Sequence, residues 1–262
     1  MTSVPRLKSR GTFCYNVAMP LYTISSAFQS LPIEIFWYPA KQKAVATVFL
    51  LKGLYGLHNS TSVDSWDTEL IEVLNDGYNF VCINTARQGT TADERSSKDA
   101  FVGKTFQEEC ADIQRAFIYL FDTGIMPSSS KIYVVGNSFG GTTLLGIPKM
   151  MNKASGIVIV GSGCGKSPTT TKPLLTTLYD EERLLAPLRS YSGVFAFVRG
   201  SLDSVVPKDS QDKIIDSARS SRIHITYTII GAQHDLTPMR DRMTPHRRAL
   251  LASVLHHVIS LA

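Results

Sequence analysis

Lys131-Ile-Tyr-Val-Val-Gly136-Asn137-Ser138-Phe139-Gly140-Gly141-Thr142-Thr143-Leu144-Leu145 decides how the chain reads. Lys131–Val135 is rich in β-branched and aromatic residues, the texture of a strand. The run then breaks into Gly-x-Ser-x-Gly, and Thr142 to Leu145 can begin a helix. A serine on so sharp a strand-to-helix turn takes a strained backbone conformation. Side chains at 136 and 140 would collide across that turn, which explains the two glycines. Ser138 then protrudes. Free N–H groups at the helix start, that of Phe139 among them, face the carbonyl oxygen such a serine would attack. Gly-x-Ser-x-Gly also arises by chance in glycine-containing loops, so partners must decide whether it carries chemistry. Pro148 limits the following helix early.

Around this core, strand-like runs occur at Val45–Leu51, Phe80–Asn84, Gly156–Val160, Val194–Arg199 and Ile223–Ile230. Most are near-continuously apolar, as in strands of a parallel sheet covered by helices on both faces. Helical periodicity separates them at Ser65–Asn75, Phe106–Asp122 and Lys208–Arg219. A last helix is signalled by Thr244 as cap, Pro245 at the first helical position and an apolar face of Leu250, Leu251, Val254, Leu255 and Val258. Phe36–Tyr38 and the Cys14–Thr23 region read as antiparallel edge strands. Residues 161–193 lack a clear strand and hold a short helix signal from Leu174 to Leu185 between Pro173 and Pro187, room for a short lid. The expectation is one α/β domain over residues 1–262, with a mostly parallel central sheet.

A serine hydroxyl needs a base, and the base needs a carboxylate to orient it. After an elbow serine the acid and then the histidine follow in chain order. Asp203, in Gly200-Ser-Leu-Asp203-Ser-Val-Val-Pro207, lies just past a strand's carboxyl end, where such sheets place their sites. His234, in Gly231-Ala-Gln-His234-Asp235, follows the final strand at the same edge. Each has a plainer reading: Asp203 as a turn residue or cap before Pro207, His234 as a solvated loop histidine. None of His58, His224, His246, His256 and His257 follows a late strand at that edge. Asp235 is the rival acid, but adjacent residues rarely point at one another productively. Lys52-Gly53-Leu54-Tyr55-Gly56 ends the first parallel strand in a glycine-bracketed loop that can offer a backbone N–H to the same centre. Leu54 and Phe139 are the expected oxyanion donors.

With these residues assembled, the chain resembles the α/β-hydrolase superfamily of serine hydrolases over roughly residues 30 to 262. Gly53-Leu-Tyr-Gly56 followed by Trp66 looks like the family's glycine loop and following tryptophan. Gly77-Tyr-Asn-Phe-Val-Cys-Ile-Asn84 with Arg87-Gln-Gly89 looks like its next strand and loop, and Gly200-Ser-Leu-Asp203 with Val206-Pro207 resembles its acid loop. Lys52 stands where many members have histidine, and Asn84 where aspartate is usual. The resemblance implies a carboxylesterase-like enzyme working through an acyl-enzyme, with Ser138, His234 and Asp203 as triad. Amide or thioester cleavage on the same triad is the alternative. The contrasting class is a non-catalytic binding protein on the same fold.

Composition bounds the rest. The chain has 262 residues, 44% hydrophobic and 19% charged, which supplies a core and excludes a disordered scaffold. The net charge, 27 − 22 = +5, is scattered without a basic stripe, so nucleic acid is not an expected partner. Gly161-Ser-Gly-Cys-Gly165-Lys166-Ser167 resembles a phosphate loop but is one residue short, and Pro168 disfavours helix at Ser167. Cys14, Cys82, Cys110 and Cys164 show no metal-ligand spacing. No metal or cofactor is expected, and no apolar run approaches the ~18 residues of a membrane helix. A cytoplasmic protein with a small-molecule acyl substrate is the expectation. The basic leader with Arg6, Lys8 and Arg10 ahead of Glu34 leaves a transit peptide as the alternative.

Overall fold

The computed structural model describes residues 20–58, 66–165, 173–236 and 244–262. In chain order its elements are β1 Leu21–Ser25, β2 Pro32–Tyr38, β3 Ala46–Leu51, α1 Trp66–Leu74, β4 Tyr78–Asn84, α2 Ala92–Arg95 and α3 Phe106–Asp122. Then follow β5 Ile132–Asn137, α4 Phe139–Leu145, α5 Pro148–Lys153, β6 Gly156–Val160, α6 Pro173–Thr176, α7 Glu181–Arg189, β7 Val194–Gly200, α8 Lys208–Ser217, β8 Ile223–Ile229 and α9 Thr244–Leu261. The strands form one sheet in the order β1-β2-β4-β3-β5-β6-β7-β8. β1 pairs antiparallel with β2 and β2 with β4; every other pairing is parallel.

Alternation along each strand divides the core into two layers. Phe49 and Leu51 of β3, Val134 of β5 and Phe195 and Phe197 of β7 pack beneath α3, α4, α5 and α7. Val48, Leu50, Val135, Ala196 and Val198 face α1 and α9 on the other side. Burying each of the valine, leucine and phenylalanine side chains contributes about 1.5–3 kcal/mol, which explains why the central strands carry few polar residues. β3 takes β4 on one side and β5 on the other, so the strand order reverses there. The crevice at the carboxyl ends of β3 and β5 is thus a topological switch point, the usual place for a site.

Several local expectations change. Residues 1–19 lie outside the described part, so the edge strand expected at Cys14–Thr23 is seen only as Leu21–Ser25. β8, at the other edge, is not buried on both faces: Ile223, Tyr227 and Ile229 pack on the α9 side, whereas Thr226 and Thr228 on the opposite face are exposed. The single helix expected from Leu174 to Leu185 is two. Asp180 caps a new start by accepting from the Arg183 N–H at 2.8 Å, and α7 runs through Pro187. Proline forfeits one helical hydrogen bond there, and the buried Leu184, Leu185 and Leu188 outweigh that loss. Thr244 is the first residue of α9 rather than its cap, and Leu251, Val254, Leu255 and Val258 are buried as the periodicity requires. No helix among the described residues is long and apolar enough to cross a membrane.

Candidate active site

β5 ends at Asn137 and α4 starts at Phe139, leaving Ser138 alone between them at φ 52°, ψ −121°. That left-handed backbone is costly for a residue with a Cβ. It is held by the Ser138 N–H donating to the Val160 carbonyl at 2.7 Å and by the Gly141 N–H donating to the Ser138 carbonyl at 3.0 Å. The flanking glycines have different reasons. A Cβ on Gly136 would lie 2.6 Å from Gly141 Cα, the collision across the turn expected from the sequence. A Cβ on Gly140 would instead strike the Leu51 carbonyl oxygen at 2.2 Å, so this glycine lets the elbow approach the end of β3. Phe139, first in α4, has an N–H with no helical partner.

The structure brings Ser138, His234 and Asp203 together from three different loops. His234 Nε2 lies 2.9 Å from Ser138 Oγ, and His234 Nδ1 lies 2.9 Å from Asp203 Oδ2. A carboxylate only accepts, so Nδ1 carries the proton and Nε2 presents its lone pair to the serine hydroxyl. The Asp203 side chain is 3% exposed and that of His234 21%, so the acid is sheltered and the imidazole reachable. The two loops interlock: the Ser201 N–H donates to the Ile229 carbonyl and the Leu202 N–H to the Ala232 carbonyl. Asp235 borders a small cavity of about 70 Å³ beside Trp66, Asn137, His234 and Leu251 and does not take the place of Asp203 on the imidazole.

Gln211 belongs to no motif in the sequence. Buried in the first turns of α8, it donates from Nε2 to Asp203 Oδ2 at 2.9 Å and to the Val206 carbonyl at 3.0 Å. Its only sequence signal is a polar residue on the inward face of an amphipathic helix. Asp203 Oδ1 meanwhile accepts from the Val205 and Val206 N–H groups at 2.9 and 3.0 Å. The carboxylate is therefore a turn residue and an imidazole partner at once.

The loop carrying Leu54 lies against the elbow, since a Cβ on Gly53 would sit 3.4 Å from Ser138 Cβ. The loop closes with the Gly56 N–H donating to the Gly53 carbonyl at 3.0 Å, and Tyr55 takes a left-handed φ of 71°. Behind it, the buried His58 bonds Asp67 through Nδ1 at 2.5 Å and Tyr38 through Nε2. This chain of groups mimics a triad but contains no serine. Burial alone would raise the Asp67 carboxyl; the His58 hydrogen bond and the Lys52 charge outweigh it and hold the group below its ordinary range. Burial raises the nearby Cys82 thiol well above its usual range. His58, Asp67 and Cys82 are close enough together to suggest metal ligands. However, two tetrahedral zinc ligands stand roughly 3.3 Å apart, whereas the His58 and Asp67 atoms are at hydrogen-bond distance and Lys52 already supplies the positive charge. Lys166, Ser167 and Pro168 of the phosphate-loop-like run lie outside the described residues; within it, Gly161 packs on the His234 ring.

No family model matches the chain, and no curated protein matches it. Solved structures do. The esterase domain of a Rhodothermus marinus protein is similar with TM-score 0.62 at 15% identity, over 92% of this chain and 97% of that one. A thermostable carboxyl esterase from Bacillus coagulans gives TM-score 0.69 at 12% identity, over 93% and 100%. A thioesterase domain from the curacin biosynthetic pathway gives 0.59 at 12% identity, over 92% and 100%. With its reversal of strand order beside the elbow, helices on both faces and these likenesses, the chain has the α/β-hydrolase fold.

Proposed function

We propose that the protein is a serine hydrolase that cleaves a carboxylic ester of a small-molecule substrate through an acyl-enzyme intermediate. The observation that carries this reading is the pair of 2.9 Å links joining Ser138, His234 and Asp203 at a strained elbow. Asp203 keeps the imidazole proton on Nδ1. Ser138 Oγ bonds to the acyl carbon as its proton passes to His234 Nε2, and the carbonyl π electrons move onto oxygen. The N–H groups of Leu54 and Phe139 donate to that oxyanion. Collapse re-forms the carbonyl and breaks the bond to the leaving oxygen, which takes the proton from His234. Water then repeats the sequence on the acyl-enzyme and frees the acid.

The same steps cleave a thioester, and the thioesterase domain among the similar structures makes this the second reading. Cys82, Cys110 and Cys164 are buried and unpaired, which suits a reducing compartment, and the cytoplasm is the proposed one. A serine-directed fluorophosphonate should label the wild type and leave Ser138→Ala unlabelled, with turnover of p-nitrophenyl esters lost in the same variant. A folded wild type that neither takes the label at Ser138 nor hydrolyses any ester or thioester of a chain-length series overturns the reading in favour of a binding protein.

A further inference from the structure

Resting on the serine-hydrolase reading, we propose that Lys52 is a positioning residue for the oxyanion loop, clamping it from behind together with Asn84 and Arg87. Three consecutive backbone carbonyls after the Leu54 turn each accept from a buried side chain. Arg87 donates to the Gly56 carbonyl at 3.0 Å, Lys52 Nζ to that of Leu57 at 2.7 Å, and Asn84 Nδ2 to that of His58 at 3.2 Å. Asn84 Oδ1 also accepts from the His58 N–H at 2.7 Å.

Lys52 does more than fill a carbonyl. Its side chain is 7% exposed, and its ammonium also meets Asp67 Oδ1 at 3.0 Å, a carboxylate with no exposed surface. The lysine thus starts at the end of β3, one residue before the glycine beside Ser138. Its ammonium then links the Leu57 carbonyl to Asp67 in the first turn of α1. Lys52 and Asn84 are two positions at which the chain departs from the α/β-hydrolase pattern; Lys52 holds the middle of the 56–58 segment, and Arg87 and Asn84 hold its two ends. A loop that includes a left-handed Tyr55 needs such surroundings to keep one shape. Fixed donors aid catalysis because they need no reorientation when negative charge develops on the substrate oxygen.

The consequence is specific to the transition state. Lys52→Met keeps the stem and removes the donors, so kcat should fall about tenfold to a hundredfold, part of what deleting an oxyanion donor costs. KM should stay within about twofold, since ground-state contacts are untouched. Affinity for a trifluoromethyl ketone, which mimics the tetrahedral adduct, should fall by the same factor as kcat. Lys52→Arg should recover most of the loss, while Lys41→Met, on an exposed ion pair, should leave all values at wild type. Fluorophosphonate labelling of Ser138 checks the hydrolase reading separately. If the wild type is not labelled, that reading fails and the clamp with it. If it is labelled and Lys52→Met keeps kcat within about twofold of wild type, the clamp alone is wrong. A kcat loss without matching loss of ketone affinity also overturns it. Should Lys52→Met not fold, Asn84→Ser removes both bonds to the His58 backbone and should show the same losses in kcat and ketone affinity; wild-type values in that variant would equally overturn the clamp.

Discussion

Asp203 divides its oxygens between two tasks: Oδ1 holds the turn through the Val205 and Val206 amides, and Oδ2 meets His234 and Gln211. Asparagine preserves the turn acceptor but presents an amide N–H₂ or a weaker acceptor to the imidazole and favours the wrong tautomer. Asp203→Asn should lower kcat by about 10⁴-fold, as loss of a triad carboxylate does in serine proteases, with Asp235→Asn far milder. Steady-state kinetics on one ester ranks the two, and the reverse order would reassign the acid. Gly140 offers a second test at the same scale. Its missing Cβ is what admits the Leu51 carbonyl, so Gly140→Ala should destabilise the fold by about 1–3 kcal/mol or more in urea unfolding. Gly77→Ala, with nothing near the added carbon, should stay within about 0.5 kcal/mol of wild type.

α3 carries a demand that its apolar periodicity hides. Its amino end is closed by a capping box, the Thr105 hydroxyl accepting from the Glu108 N–H at 3.2 Å and Glu108 accepting from the Thr105 N–H at 2.7 Å. One turn further on, Glu109 and Asp112 point into the protein and bond the fully buried Lys104 at 2.6 and 2.8 Å. Lys104 also donates to the Ala86 carbonyl at 2.7 Å, and Asp112 accepts from the Ala86 N–H and the Ser26 hydroxyl. The ion cluster therefore ties α3 to the loop after β4 and to the β1–β2 hairpin. Removing the cation strands two buried carboxylates, so Lys104→Met should cost about 3–5 kcal/mol by chemical denaturation. A loss below about 1 kcal/mol would mean that water reaches the carboxylates after all.

Across the whole molecule, the Lys52–Asp67–His58 group couples β3, the glycine loop and α1, and makes stability depend on acid. Asp67 is held below its ordinary value of 3.8 in the folded protein. A carboxyl depressed by folding contributes stability that is complete above its unfolded value and disappears as pH falls through the folded one. Asp112 works in the opposite sense, because burial raises it, so its contribution diminishes as pH climbs past its unfolded value. Comparing Tm between wild type and Asp67→Asn separates the two: the variant should melt lower at neutral pH and show the shallower decline below about pH 4. Parallel curves would remove Asp67 from the account.

The order of strands and helices, the elbow and the three side chains at the carboxyl edge were legible in the chain itself. Each is written locally: β-branched runs make strands, Gly-x-Ser-x-Gly permits one tight turn, and a residue just past a parallel strand emerges at a known edge. Pairing was a matter of place rather than of residue type, which is why His234 could be preferred to His58 even though His58 makes its own chain with Tyr38 and Asp67. What tertiary structure alone decided are the contacts between elements distant in sequence. They are Gln211 beneath Asp203, Gly140 against the end of β3, and Lys52, Asn84 and Arg87 behind one loop. No periodicity encodes these, because hydrogen bonds to backbone carbonyls depend on distances that exist only after the sheet has brought β3, β4 and β5 side by side.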